Sequence, residues 1–226
     1  MPKQSISVVA ILIFRKAKCM FHLTTVELPT YNLLREIFRI ELVSKQFALA
    51  GGTSLALQIG HRQSIDLDIF SVEAFNPKEI EILLAGNPDI RFTYIGNNSR
   101  MLFCYINNIK CDFVQEPARL LQPFLKHEGV NYFHIQDIAA MKMHTVCGRG
   151  KKKDFFDIYA LLQLYSWEQM LQWFGEKYGE DQFYFLWKSI SYFIDADADP
   201  DIKGLAAYNK SWKEIKAYII QHCIPE

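Results

Sequence analysis

An α+β fold is what the sequence predicts: a small mixed β-sheet flanked by helices, followed by a helical C-terminal part. Three observations predict it. Residues 47–70, FALAGGTSLALQIGHRQSIDLDIF, run from apolar strand through glycine turn and short helix to a second strand; residues 102–114, LFCYINNIKCDFV, carry the alternation and turn residues of a β-hairpin; and from Ile135 onward apolar residues recur at helical spacing almost without interruption. The organisation expected is an N-terminal extension over 1–19, an α/β core over 20–134, and a helical region over 135–226 that completes a site built on the core.

At the amino terminus Ser7–Phe14, SVVAILIF, is apolar and is followed by Arg15, Lys16 and Lys18. That order reverses the charge pattern of a secretory signal, and the run is too short to span a bilayer. Two readings stand: an upstream extension ahead of Met20, or an edge strand that caps the sheet. Leu33–Lys45 is an amphipathic helix presenting Leu33, Leu34, Ile37, Phe38 and Leu42. Phe47–Ala50 is a short strand, Gly51 and Gly52 permit conformations and close approaches that a Cβ forbids, and Thr53 or Ser54 caps a helix that ends at Gly60. Ile65–Phe70 alternates with period two, so Asp66 and Asp68 face one way and Ile65, Leu67 and Ile69 the other. Pro77–Ala85 is a further short helix closed by the Gly86-Asn87-Pro88 turn, and Ile90–Ile95 is a strand leading through Gly96-Asn97-Asn98 into the hairpin.

In that hairpin Asn107 and Asn108 tolerate the left-handed conformation of a tight turn. The turn sets Ile106 opposite Ile109, Cys104 opposite Cys111, and Phe103 opposite Asp112. Leu102, Cys104, Ile106, Ile109, Cys111 and Phe113 then share an apolar face, leaving Tyr105, Lys110 and Asp112 on a face that reads as solvent-exposed. Helices follow over Ile135–Val146, Phe155–Tyr165, Trp167–Tyr178, Asp181–Phe193 and Ser211–His222, with Gly148 and Gly150 breaking the first and Asp154 opening the second. Aromatic residues there, among them Trp173, Phe183, Phe185, Trp187, Tyr192 and Phe193, read as core. The string DADADPD from Asp195 to Asp201 lacks the glycine and terminal glutamate of an EF-hand loop and reads as an acidic connector.

Two constellations carry chemistry. The glycine turn leaves helix N–H groups free for an anion, and Asp66 and Asp68 repel each other unless a cation lies between them. Mg²⁺ suits that place, because it binds through a few carboxylates plus substrate phosphates. The second constellation spans 142–157: Lys142, Thr145 and Arg149 align at i, i+3 and i+7 if the helix persists, Lys151, Lys152 and Lys153 follow, and Asp154 and Asp157 sit one turn apart. Each feature has a plainer reading beside the functional one. Asp-x-Asp is common at strand ends, a lysine run between glycines is usually a solvated loop, and acidic residues at a helix start serve the cap and dipole. His61 reads as structural or substrate-facing, and neither it nor His144 falls in a metal-ligand spacing.

Composition narrows the class without naming it. The 226 residues are 50% hydrophobic, enough for one sizeable core or two small lobes. Twenty-five basic and 25 acidic residues leave no net charge, so any polyanionic acceptor must be captured locally. Five cysteines without a C-x-x-C pair argue against a disulfide framework or a zinc site, and reduced thiols suit a cytoplasmic protein without membrane attachment.

The glycine turn, short helix, Arg62, Ser64 and Asp-x-Asp of residues 51–70 together resemble the first signature of the DNA polymerase β-like nucleotidyltransferase superfamily. More narrowly, GGTSLALQIGHRQSIDLDIF is similar to the AbiEii/AbiGii group of nucleotidyltransferase toxins, and Lys-x-x-Thr followed by Arg-Gly-x-Lys-Lys-Asp-x-x-Asp is similar to that group's later motifs. The resemblance runs over most of the chain from about Met20. It implies a small mixed-sheet nucleotidyltransferase core that transfers a nucleoside monophosphate from an NTP to an acceptor hydroxyl. Asp66, Asp68 and Asp112 would hold Mg²⁺ (or Mn²⁺). Gly51, Gly52 and Thr53, with Arg62, Ser64 and Lys142, would bind the triphosphate, Thr53 through its hydroxyl. Asp154 would orient the acceptor or assist its deprotonation, while Asp157 is a helix-packing or capping residue. Arg149, Lys151, Lys152 and Lys153 would meet the phosphates of an RNA acceptor such as tRNA. The implied partner is a winged-helix antitoxin encoded nearby, in a toxin–antitoxin or phage-defence pair. Adenylylation of a small molecule or protein, and non-catalytic nucleotide sensing, remain as alternatives.

Overall fold

The structure, a computed structural model described over residues 21–224, is organised around a seven-stranded mixed sheet. Its strands are β1 (Ala48–Leu49), β2 (Leu67–Ser71), β3 (Phe92–Asn98), β4 (Met101–Ile106), β5 (Ile109–Gln115), β6 (Leu125–His127) and β7 (Val130–Tyr132), in the order β3-β4-β5-β2-β1-β7-β6. β2 runs parallel to β5 and β1 parallel to β7, and the remaining pairs are antiparallel. The helices are α1 (Leu28–Ile37), α2 (Glu41–Gln46), α3 (Gly51–Ile59), α4 (Pro77–Ala85), α5 (Ile135–Gly148), α6 (Lys152–Leu162), α7 (Trp167–Tyr178), α8 (Phe183–Ser189), α9 (Ile194–Asp197) and α10 (Trp212–Cys223).

Period-two alternation divides the apolar side chains between two cores. Leu49, Leu67, Ile69, Cys111 and Phe113 pack with Leu34 and Ile37 of α1 and with Ile80 and Leu84 of α4. Ala48, Ala50 and Phe70 turn the other way, into a core supplied mainly by α5, α6, α7 and α10. Asp68 lies between Leu67 and Ile69 on β2, so it shares the second face with Phe70. The hairpin has the register its sequence dictates, with Cys104 opposite Cys111 and Phe103 opposite Asp112; Asn107 and Asn108 both take positive φ.

Several elements depart from the sequence expectation, each for a local reason. Leu33–Lys45 is two helices, because the chain tightens at Arg39 and Ile40 into i→i+3 bonds and turns so that Phe38 and Val43 both reach the core. Ile65 is 66% exposed, since the strand begins only at Leu67 and pairs no earlier residue. β3 runs on through Gly96-Asn97-Asn98 after a bulge, and the chain turns at Ser99-Arg100 instead. The β6–β7 hairpin has no counterpart in the expectation: its strands are three residues long, and Val130, Asn131 and Tyr132 are all buried, so no alternation marks them. Asp181–Phe193 breaks into a 3₁₀ turn and the short α8, which leaves Phe185 and Tyr192 about half exposed rather than in the core.

The face of β5 read as solvent-exposed is partly covered, and Asp112 is only 8% exposed. Residues 1–19, with the strand or extension expected there, lie outside the described residues. Among the described residues no helix is long and apolar enough to cross a membrane.

Candidate active site

The site begins at the glycine turn. Ala50 N–H donates to the Asp68 carbonyl at 2.9 Å, which fixes the turn against β2. Gly51 has φ +64°, and a Cβ there would run into the Asp68 carboxylate; a Cβ on Gly52 would run into the Arg62 guanidinium. Both glycines are thus required by close approach, one to an anion and one to a cation. α3 has no side-chain cap on Ala50, so the first-turn N–H groups of Gly51, Gly52 and Thr53 have no intrahelical acceptor. The Thr53 hydroxyl is not free for a triphosphate, contrary to the sequence expectation: it donates to the Asp66 carbonyl, and Ser64 Oγ lies 2.8 Å from it. Thr53 therefore clips the segment before β2 to α3.

Asp68 and Asp112 are register partners on parallel strands. The cleft they line has a volume of about 70 Å³, and Asp66, Gly52, Arg62 and Ser64 line it too. Lys110, Lys142, Arg149 and Lys153 complete it. Burial raises the Asp68 carboxyl above its ordinary value; Lys142 draws it down, and Asp112 pushes it up again. Lys110 Nζ holds Asp112 Oδ2 at 2.6 Å, while Asp112 Oδ1 is buried with no hydrogen-bond partner. Asp66 precedes β2 and lies 3.7 Å from Lys153 Nζ. Among the described residues no three acidic, histidine or cysteine side chains converge as a ligand set for one metal ion, so the expected Asp66, Asp68 and Asp112 trio is not assembled as such. The Asp68–Asp112 pair nevertheless fits a hard divalent cation. It offers adjacent oxygen donors, one of them orphaned, and Mg²⁺ completes its shell with waters and phosphates when one or two carboxylates hold it.

Behind the cleft lies a buried charge network on β2's approach, α5 and α6. Arg62 donates to Asp157 through Nε at 2.7 Å and Nη2 at 3.0 Å. Lys142 Nζ lies 2.6 Å from Asp157 Oδ2 and 2.8 Å from Asp154 Oδ1. Two cations thus meet two carboxylates out of water. Burial alone would raise the Asp157 carboxyl, but Arg62, Lys142 and the His61 hydrogen bond hold it well below the usual range. For Lys142 burial works toward neutrality and is outweighed by Asp157 and Asp154, so its pKa is raised and it stays charged. Burial lowers His61, leaving it neutral near pH 7; its Nε2–H donates to Asp157 Oδ1 at 2.7 Å.

Three expected roles change here. Asp154 is fully buried, with Oδ1 accepting from Lys142 Nζ and Oδ2 3.6 Å from Arg149 Nε, so it holds cations rather than standing open to an acceptor. Asp157, read as packing or capping, is the hub that fixes Arg62, Lys142 and His61. Its only sequence signal is the one-turn spacing from Asp154, which lets both carboxylates reach the same lysine. Lys152 is 4% exposed and tied to the Asp199 carbonyl at 2.6 Å and Asp201 Oδ1 at 3.0 Å, so it offers nothing to a nucleic acid. Arg149, Lys151 and Lys153 remain accessible, and α5 does persist to Gly148, which brings Arg149 to the cleft.

A family model described as nucleotidyl transferase AbiEii toxin, type IV TA system, matches residues 32–221. An uncharacterized protein of Aquifex aeolicus, aq_aa25, is 31% identical over 182 residues, covering 78% of this chain and 85% of its own length. Among solved structures, the nucleotidyltransferase toxin MenT4 of Mycobacterium tuberculosis has a similar fold, with TM-score 0.52 and 14% identity over 88% of this chain and 85% of that one. JHP933 of Helicobacter pylori aligns over 86% of this chain and 90% of its own, with TM-score 0.49 and 16% identity.

Proposed function

The chain belongs to the nucleotidyl transferase AbiEii toxin family of type IV toxin–antitoxin systems, and from that premise we propose that it transfers a nucleoside monophosphate from an NTP to an RNA hydroxyl, releasing pyrophosphate. The observation that carries this reading is the pairing of Asp68 with Asp112 against a glycine turn whose helix N–H groups are uncapped.

Asp68 and Asp112, with Asp66 at the edge of the cleft, would hold Mg²⁺ or Mn²⁺, which when bound supplies charge neutralisation at the α-phosphate and leaving group. The protein's own contribution is a set of fixed donors. The N–H groups of Gly51, Gly52 and Thr53 bind phosphate oxygens at the start of α3. Arg62 and Lys142 present positive charge to the same cleft, and their position is set in advance by Asp157 and Asp154 rather than by the substrate. Ser64, beside Thr53, lines the phosphate side. Positioning the acceptor oxygen in line with the α-phosphate then accounts for catalysis without a covalent protein intermediate.

Arg149, Lys151 and Lys153 form the cationic rim for the phosphates of an RNA acceptor, with tRNA the class favoured. Family membership implies an antitoxin partner, which we read as a winged-helix protein encoded beside this chain and acting with it in phage defence in the cytoplasm. The test is incubation of the protein with each α-³²P-labelled NTP, Mg²⁺ and total RNA, alongside Asp68→Asn. Label in tRNA-sized species only with intact Asp68 is the expected outcome. Label confined to protein or a small molecule would replace the acceptor, and nucleotide binding without transfer would make the chain a sensor.

A further inference from the structure

The sheet face that carries Asp68 and Asp112 does not end at the cleft. β4 continues it: Phe103 is the register partner of Asp112 and Tyr105 that of Lys110, so both rings stand on the aspartate side of the sheet. The 2.6 Å contact of Lys110 Nζ with Asp112 Oδ2 marks that side. α4 packs against β3 and β4 from the opposite face, where Ile80 and Leu84 join Leu102, Cys104 and Cys111. On the aspartate side Met101, Phe103, Tyr105 and Val114 belong to neither core, and Tyr105 is 42% exposed. Gly96 of β3 is the register partner of Phe103, and a Cβ there would meet nothing among the described residues. The face beside Phe103 is therefore open. Residues 91–115, which form β3, β4 and β5, hold three cations, Arg91, Arg100 and Lys110, and one carboxylate, Asp112. Arg91 and Arg100 are exposed and flank β3 at its two ends.

Two rings spaced two residues apart on an open strand, flanked by cations and leading to a carboxylate pair, match single-stranded nucleic acid: unpaired bases lie on the rings and phosphates meet the cations. We propose that Phe103 and Tyr105 stack unpaired bases of the acceptor RNA and so present a single-stranded segment, rather than a duplex, to Asp68 and Asp112. The proposal rests on the transferase reading with an RNA acceptor and deepens it by naming how that acceptor is recognised. A duplex offers this platform no free ring face, because its bases are already stacked on one another. Stacking is blind to sequence, since every base has a ring face. Lys110, opposite Tyr105, takes the phosphates together with Arg149 and Lys153 of the same cleft.

Anisotropy titration of the full chain with a short labelled single-stranded RNA tests this, alongside an abasic strand of the same length and a blunt RNA duplex, using wild type, Phe103→Ala, Tyr105→Ala and Tyr105→Trp. Wild type should bind the single strand at least about fivefold more tightly than the abasic strand. Tyr105→Ala and Phe103→Ala should each weaken the single strand by about tenfold and leave the abasic strand and the duplex unchanged, with Tyr105→Trp keeping wild-type affinity. Equal affinity of wild type for the ordinary and abasic strands, or an equal loss on all three probes in Tyr105→Ala, overturns the platform and leaves the transferase reading standing. A wild-type dimer that Tyr105→Ala disperses would assign the face to a second copy and overturn it likewise. Base-dependent binding by a wild type that transfers no label from any NTP to RNA would remove the transferase reading, and the platform's acceptor role with it.

Discussion

Asp68 and Asp157 both stand beside cations, and neutralising each should have opposite effects on stability. The Asp68 carboxyl is raised by burial and by Asp112, so its ionised form is disfavoured in the folded state. Asp68→Asn should therefore abolish transfer while raising the melting temperature, by roughly 2–4 °C for each kcal/mol of repulsion relieved. Asp157→Asn leaves Arg62 and Lys142 buried with half their compensation and should cost about 3–5 kcal/mol. Calorimetric melting of the two variants checks this, and a destabilised Asp68→Asn would contradict the repulsive pair. The sequence disclosed Asp68 because a strand's alternation and a glycine turn frame it locally. It hid Asp157, whose meaning depends on Arg62, 95 residues away.

At the level of elements, the lysine run at the start of α6 divides into parts with different duties. Lys152 N–H and Nζ are held by Asp199 and Asp201, so the acidic string is a clamp on the start of α6 as well as a connector. Lys153 reaches the cleft and Lys151 faces solvent. Lys152→Met should lower stability and leave the salt dependence of RNA binding unchanged, whereas Lys153→Ala should reduce the slope of log K against log salt by about 1. Filter binding across a salt series together with melting curves separates the two, and equal slopes for wild type and Lys153→Ala would remove that lysine from the RNA path. The hairpin register was legible because Asn-Asn turn chemistry and alternation agree. β6 and β7 were not, since three-residue strands are too short to show a period, and β7 is buried on every residue.

For the molecule as a whole, acid should act in two stages. His61 is lowered by burial, so the unfolded chain takes up a proton before the folded one; stability is full above the unfolded histidine value of about 6.5 and falls as pH drops below it. Asp157 is also held low, and its contribution, full above the unfolded aspartate value of about 3.9, is lost as pH falls through its folded value. Melting temperatures between pH 8 and 3 should thus decline from near pH 6.5 and steepen below pH 4; a flat profile between pH 8 and 5 would show that burial does not lower His61 from its unfolded value. The mixed sheet with a helical C-terminal part was readable from periodicity. That those helices cover the aspartate-bearing face was not, because packing of one element on another leaves no period in either.

Several of the contacts that fix the site join distant parts of the chain. Asp68 meets Asp112 across β2 and β5, Arg62 meets Asp157, and the His61 carbonyl accepts from Leu205 N–H at 2.8 Å. Contacts of such separation form only after long loops have closed, so they belong to the late, slow part of folding. A chain that has made its helices and its local hairpins but not these crossings has no aligned cation pair and no carboxylate pair. An assembled transferase site is therefore a property of the finished fold, delayed in time behind the secondary structure that builds it.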